Sequence, residues 1–287
     1  MKIGLSTYSF YRELKNGEMS VLDVVEWIAE NGGEHVEIVP MGYSFEEQPE
    51  LVEQIRETAQ RVKLDVSNYA IGANFTQEDD EAYEAEIERV LKEVDIASRL
   101  GVKLMRHDVA WRPAPEATIH QFEQDLPRLR DACRRVAMYA DRYGITTSVE
   151  NHGFFVQHSD RVQRLVEAVA RDNFKTTLDV GNFLCVDENP CVATQKNLPY
   201  ASMVHLKDFY VRSPEYDPGQ GWFRSSGGHY LRGAIVGHGD VPMWQVVKAI
   251  KESGYDGYIS IEFEGMEDSQ TGSKIGMENA RRIWDKV

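Results

Sequence analysis

The chain is poor in cysteine, in basic charge and in long apolar runs. Cys133, Cys185 and Cys191 are the only 3 cysteines among 287 residues. They are too few and too unevenly numbered for a disulfide framework, and they fit a reducing compartment. Cys185 and Cys191 read as small buried hydrophobes in preference to metal ligands. Lys and Arg number 32 against 47 Asp and Glu, a formal net charge of −15. That excess repels a polyanionic backbone, and no basic stripe offsets it, so nucleic acid is not an expected partner. No segment approaches the roughly 20 apolar residues of a membrane span, and MKIGLSTYSFYREL lacks the unbroken apolar stretch of a signal peptide. A cytoplasmic protein without membrane contact is expected. A Gly-rich phosphate turn is also missing, since KIGLSTYSF carries only Gly4. This counts against a doubly wound dinucleotide-binding sheet.

What the sequence does contain is a succession of short apolar runs separated by amphipathic, helix-length segments. Runs at 2–6, 35–40, 63–70, 102–107, 145–150, 174–180, 202–207 and 258–264 read as strands. Ser20 with Asp23 marks a capping-box start to the first amphipathic helix, in which Leu22, Val25, Ile28 and Ala29 share a face before Asn31, Gly32 and Gly33 stop it. Further helices are expected over 47–61, behind a Thr76/Asp79 cap up to Gly101, from the Trp111–Pro115 loop to Tyr143, behind Ser159, and over 272–286. Strands separated by helical crossovers lie parallel and are buried on both faces, which explains why the runs are apolar throughout. Eight such units in one chain of this length predict a single-domain (β/α)₈ TIM barrel spanning 1–287. The connection from Lys207 to Pro242 is far longer than the usual link and rich in Gly and aromatics. It is expected to form a lid over the face where the strands end.

The strand ends are chemically unlike the strands. The fifth run ends in Glu150, the sixth in Asp179, the seventh in His205 and the eighth in Glu262, at intervals of 29, 26 and 57 residues. Each alone has an ordinary explanation as a turn cap, a core histidine or an ion-pair partner. Together, on four successive barrel strands, they converge on the barrel mouth. Three carboxylates crowded there repel one another unless a cation holds them. Carboxylate oxygens with one imidazole suit Mn²⁺, Mg²⁺ or Co²⁺, with Zn²⁺ also accommodated. Such a set can leave coordination positions for a substrate's oxygens, so Lewis-acid catalysis is the expected chemistry.

These stretches resemble the sugar phosphate isomerase/epimerase group of the xylose-isomerase-like barrels, which includes ketose 3-epimerases and inosose dehydratases. The similarity rests on SVENHG (148–153), TLDVGN (177–182), VHLKD (204–208), GHGDV (237–241) and YISIEFEG (258–265). It implies that Glu150, Asp179, His205 and Glu262 bind the metal, and that Glu150 and Glu262 act as acid and base on opposite faces of one carbon. One departure stands out. Relatives often carry a histidine three residues after the sixth-strand aspartate, where this chain has Asn182, expected to hydrogen-bond a substrate hydroxyl but unable to relay a proton near neutral pH. With the acidic charge, that residue also argues against the related zinc-dependent abasic-site endonucleases.

Around this ring, His152 is expected to reach a sugar hydroxyl or to orient Glu150, and Lys207 to meet a substrate oxygen or pair with Asp208 or another acid. His107 and Trp111 are candidates for lining the pocket, and His229, Arg232 and His238 for completing it from the lid. His35, His120 and His158 read as ordinary strand-start or surface residues. The expected substrate is a small sugar or polyol without phosphate, because no Arg cluster is visible in the sequence. A lyase or dehydratase is the alternative enzyme, and a non-catalytic sugar-binding barrel the alternative of another class. The sequence leaves the oligomeric state open, a homo-oligomer included.

Overall fold

The computed structural model describes residues 2–287. In chain order its strands are β1 (Lys2–Ser6), β2 (His35–Ile38), β3 (Asp65–Ile71), β4 (Leu104–His107), β5 (Thr146–Glu150), β6 (Phe174–Asp179) and β7 (Ala201–Leu206). There follow β8 (Asp208–Arg212), β9 (Phe223–Arg224), β10 (Tyr230–Ala234) and β11 (Tyr258–Ile261). Strands β1 to β7 and β11 close into an eight-stranded parallel barrel in the order β1-β11-β7-β6-β5-β4-β3-β2. Helices α1 (Tyr11–Asn16), α2 (Val21–Glu30), α3 (Leu51–Arg61), α4 (Asp80–Leu100), α5 (Ile119–Asp141), α6 (Ser159–Val169), α7 (Pro190–Asn197), α8 (Met243–Glu252) and α9 (Ser269–Lys286) lie in the connections. The molecule is a TIM barrel. Among the described residues no helix is long and apolar enough to cross a membrane.

Local chemistry sets the helix starts. The Ser20 hydroxyl accepts from the Asp23 N–H at 3.2 Å while the Asp23 carboxylate accepts from the Ser20 N–H at 2.8 Å, a reciprocal cap on α2. The buried face of α2 is rotated from expectation: Val21, Val24, Val25 and Ile28 are buried, whereas Leu22 and Ala29 are only partly covered. Asp79 alone caps α4, accepting from the Ala82 N–H at 2.7 Å. Thr76 instead donates its hydroxyl to the Asn74 side chain.

The long connection after β7 is largely structured. Strands β8, β10 and β9 form a three-stranded antiparallel sheet, with Tyr230 opposite Arg212 and Arg232 opposite Tyr210. Alternation along these strands puts Phe209, Val211 and Leu231 on one face, where they pack with Leu184 and Cys185 in a small apolar cluster separate from the main core. The expected lid is therefore a packed sheet anchored on the barrel rim. Asp208 fixes its base, accepting from the N–H groups of Phe209, Gly237, Gly239 and Val241 at 2.9–3.1 Å.

At the opposite end of the barrel a buried histidine packs against a glycine. His35 is fully buried, bonded to Ser67 Oγ at 2.8 Å and to the Ile259 carbonyl at 3.0 Å. It fits because Gly4 stands beside it: a Cβ at Gly4 would lie 2.0 Å from the His35 carbonyl oxygen. Backbone cannot retreat from such an overlap. Gly4→Ala is expected to lower the unfolding free energy by about 3 kcal/mol, read as a shifted urea midpoint; an unchanged midpoint would mean that the barrel floor yields.

Candidate active site

Side chains two residues apart on a strand point the same way, so each barrel strand contributes a column of inward positions. In the columns of β5, β6 and β7, and of β11 with the residue after it, Ser148, Thr177, Met203 and Ser260 form a lower layer. The layer above, at the strand C-termini, is Glu150, Asp179, His205 and Glu262, with Glu262 just past the end of β11. These four buried residues each offer one donor atom, and the donor atoms all lie within 4.8 Å of one another. His205 Nδ1 is the hub: it is 3.9 Å from Glu150 Oε1, from Asp179 Oδ2 and from Glu262 Oε2. Both His205 Nδ1 and Asp179 Oδ2 are buried without a hydrogen-bond partner. Two orphaned polar atoms facing one point in a ring of carboxylates is the arrangement a bound cation resolves, so the four residues fit a divalent metal ion.

The remaining lone pairs of the cluster are engaged elsewhere. Arg106 donates to Glu150 Oε2 through Nε at 2.7 Å, with a terminal nitrogen 2.5 Å from the same oxygen, and Asn182 Nδ2 donates to Glu150 Oε1 at 2.9 Å. Asp179 Oδ1 accepts from the N–H groups of Gly181 and Asn182, both at 2.8 Å. Lys207 Nζ lies 2.6 Å from Glu262 Oε2 and 3.6 Å from Asp179 Oδ2. His205 Nε2 lies 2.8 Å from Glu37 Oε2, and Asn68 donates to Glu37 Oε1 at 2.7 Å, so the carboxylate of β2 sets which imidazole nitrogen faces the cluster. Asn151 pins β6 to β5, donating to the Asp179 carbonyl at 2.7 Å and accepting from its N–H at 2.9 Å.

These contacts determine the charge states. Burial works against ionisation of Glu150, but Arg106 and His205 outweigh it and hold its pKa below the usual carboxylate range. Lys207 and His205 do the same for Glu262. Asp179 goes the other way: burial, reinforced by the charges of Glu150 and Glu262, pushes it up to about 7 despite Lys207. Burial lowers the His205 pKa, yet Glu37 with Glu262 and Glu150 drives it up to about 10. The expectation that only a metal offsets the carboxylates thus needs correction, since Arg106 and Lys207 already supply two fixed positive charges. The cation argument rests instead on the unpaired donor atoms.

A cavity of about 380 Å³ opens above the cluster, lined in part by Tyr8, Arg106, Asp108, His152 and Lys207. His152 faces it, half-exposed, with Nδ1 3.3 Å from Asp108 Oδ1. Burial depresses its basicity, but the bond to Asp108 and that residue's charge raise its pKa overall. Lys207 pairs with Glu262 and not with Asp208, whose oxygens are taken by backbone. Five expected contacts fall outside this cavity. The His107 ring is completely buried between Phe75 and Phe174, with centroids at 5.8 and 6.1 Å, and burial lowers its pKa to about 4. It is a core residue because position 107 points away from the barrel axis while position 106 points in. Trp111 is 61% exposed and joins the rim only through its backbone. His238 is exposed, and the GHGDV stretch serves Asp208 through the Gly237 and Gly239 N–H groups. Arg232 and His229 also lie apart from the cluster, Arg232 in a neighbouring cavity and His229 against Asp187 at 2.7 Å.

Glu37, Arg106, Asp108 and Asn151 are functional neighbours that the sequence reading passed over. For the first two there was a signal: a charged residue inside a short, buried strand, in HVEI and LMRH, is costly unless its partner is also buried.

A closed parallel barrel with a carboxylate–imidazole cluster at the C-terminal ends of its strands carries that cluster on the face where TIM-barrel enzymes place their active sites. The chain belongs to the xylose isomerase-like TIM barrel family, whose model matches residues 25–283. It is 26% identical over 151 residues to an inosose dehydratase of Lacticaseibacillus casei, a match covering 50% of this chain and 49% of that protein. The match thus spans about half the length of that curated relative. Among solved structures it resembles the IOLI protein with a zinc atom (TM-score 0.78, 16% identity, 100% of this chain and 99% of that one). It also resembles D-psicose 3-epimerase from Clostridium cellulolyticum H10 with D-tagatose (TM-score 0.76, 16% identity, 99% of each chain). At these identities the structural likeness establishes the fold.

Glu37 gives the site a specific handle. Glu37→Gln keeps an acceptor for His205 Nε2 but removes the charge behind the imidazole. Divalent-cation affinity is expected to fall about 10- to 100-fold, measured by Mn²⁺ competition with a chelating dye; undiminished affinity would separate Glu37 from the metal site.

Proposed function

We propose that this chain is a divalent-metal-dependent isomerase or epimerase of a sugar or cyclitol, working by proton abstraction next to a carbonyl. The observation that carries the reading is the buried, unpaired His205 Nδ1 set 3.9 Å from one oxygen of each of three carboxylates. The donor set favours Mn²⁺, with Mg²⁺, Co²⁺ or Zn²⁺ accommodated by the same atoms. When bound, such a cation polarises a carbonyl and stabilises the enediolate that forms from it. The chain's own residues do the rest. Glu150 and Glu262, reaching in from β5 and from just past β11, are held ionised by Arg106 and Lys207, so one can take the proton from the carbon and pass it to solvent, while the other draws a proton from solvent and returns it to the opposite face. Asn182 orients Glu150 through Nδ2 and accepts from Lys207 at 3.3 Å, a positioning part that needs no titration.

A second reading is favoured by His152. Its imidazole faces the cavity and is backed by Asp108, which suits it to protonate a departing hydroxyl, and the curated relative is named a dehydratase. Elimination would start from the same proton abstraction and end by expelling a β-substituent.

Incubating the Mn²⁺-loaded protein with a ketose in D₂O separates these outcomes. Deuterium in a recovered or epimerised sugar supports the first reading, and an unsaturated product the second; no exchange with any ketose or keto-cyclitol would sink both. Glu150→Gln should lower the exchange rate at least about 10²-fold, and retention of the rate would remove Glu150 from this role.

A further inference from the structure

Beside the cavity over the cluster lies a second one of about 490 Å³, and Tyr8 and Glu264 line both. Its remaining walls bring Arg12 of α1 and Arg232 of β10 together with Phe223, Phe263 and Met266. Close backbone packing fixes this wall to the site: Gly233 pairs with Gly265, and a Cβ at Gly233 would lie 2.4 Å from the Glu264 carbonyl oxygen. The sheet formed by β8, β9 and β10 is thus pressed onto the segment that carries Glu262.

The cations of the two cavities differ in what they bind. Arg106 and Lys207 hold carboxylates at 2.5 and 2.6 Å. Among the described residues, Arg12 and Arg232 have no carboxylate within 4.0 Å. Arg232 lies over the rings of Tyr210 and Trp222, 4.9 and 5.3 Å from their centroids. Its Nε is buried without a hydrogen-bond partner, and a terminal nitrogen reaches only Met266 Sδ at 4.0 Å. Arg12 is held by the carbonyls of Gly265 and Glu267. A guanidinium oriented by stacking, with donors unused, is a pre-arranged oxyanion receptor, and the aromatic walls suit a flat spacer.

We propose that the second cavity is a subsite for an oxyanion, carboxylate or phosphate, carried by the part of the substrate remote from the reacting carbon. This rests on the reading that the reacting carbon lies over the Glu150–Glu262 cluster. It also revises the expectation of a substrate without phosphate, because an Arg pair is assembled only by the fold.

The test uses the Mn²⁺-loaded full chain and calorimetric titration with three matched β-D-glucosides: 4-carboxyphenyl, 4-phosphonooxyphenyl and neutral 4-(hydroxymethyl)phenyl. At least one acidic glucoside is expected to bind about tenfold more tightly than the neutral one, the stronger acid naming the source of the anion. Arg232→Gln should reduce that acid-to-neutral ratio about tenfold and Arg232→Lys less, because a lysine keeps the charge but loses the fork. Arg12→Gln, on an exposed helix, tests the other wall if position 232 does not tolerate exchange. Equal affinities in the unaltered chain, no binding by any of the three, or a ratio unmoved by substitution at both arginines would overturn the subsite. Ketose exchange in D₂O is read separately. Exchange without an anion preference removes the subsite alone, whereas a preference without exchange supports the subsite and removes the chemistry.

Discussion

The structure depends on keeping several carboxylates buried side by side at one end of a closed barrel. Glu37, Glu150, Asp179 and Glu262 share that space with the cationic side chains of Arg106 and Lys207 and with the imidazole of His205. Unpaired, such charges would shift their pKa values until some lost them. Most pairings are satisfied, and the shortfall is concentrated on Asp179, whose proton affinity rises, and on His205 Nδ1, which has no partner. The site is therefore electrostatically incomplete in a localised way. A cluster left incomplete in this way is suited to a cation.

The rest of the fold holds this geometry. Strand pairing sets the height of each donor: Asp179 is in register with His205, and Ser260, two residues before Glu262, is in register with the same His205. Side chains outside the cluster then fix individual atoms: Asn151 clamps β6, Glu37 orients His205, and Arg106 holds one oxygen of Glu150. At the far end, His35 packed against Gly4 closes the interior, so the polar layer sits on a filled floor. The sheet of β8, β9 and β10 contributes in another way. Its apolar face is packed on Cys185 and Leu184, and Arg232, opposite Tyr210, stands at the boundary of a second cavity.

Periodicity and punctuation made the barrel legible before any coordinates. Runs buried on both faces, separated by helices with recognisable caps, have few other ways to pack. Four strand-end residues were visible for the same reason, since polar groups closing apolar runs interrupt a strong pattern. Where the reading failed, the cause was usually direction. His107 and Arg106 are adjacent, yet opposite faces of the strand send one into the core and the other to the cluster. His238 stood in a stretch that resembled a motif, but the glycines around it serve Asp208. The excursion from 207 to 242 gave no clear alternation, so its three strands were not foreseen.

The sequence by itself determined the order of the eight barrel strands and the four polar residues that close the last four of them, because these follow from spacing along the chain, and its short motifs carried the family resemblance. Tertiary structure alone decided which oxygen of each carboxylate faces the cluster, which nitrogen of His205 faces it, and that Arg12 and Arg232 share a cavity. Those outcomes depend on distances between residues as far apart as Glu37 and His205. Such distances arise only when the barrel closes and brings its first strands against its last.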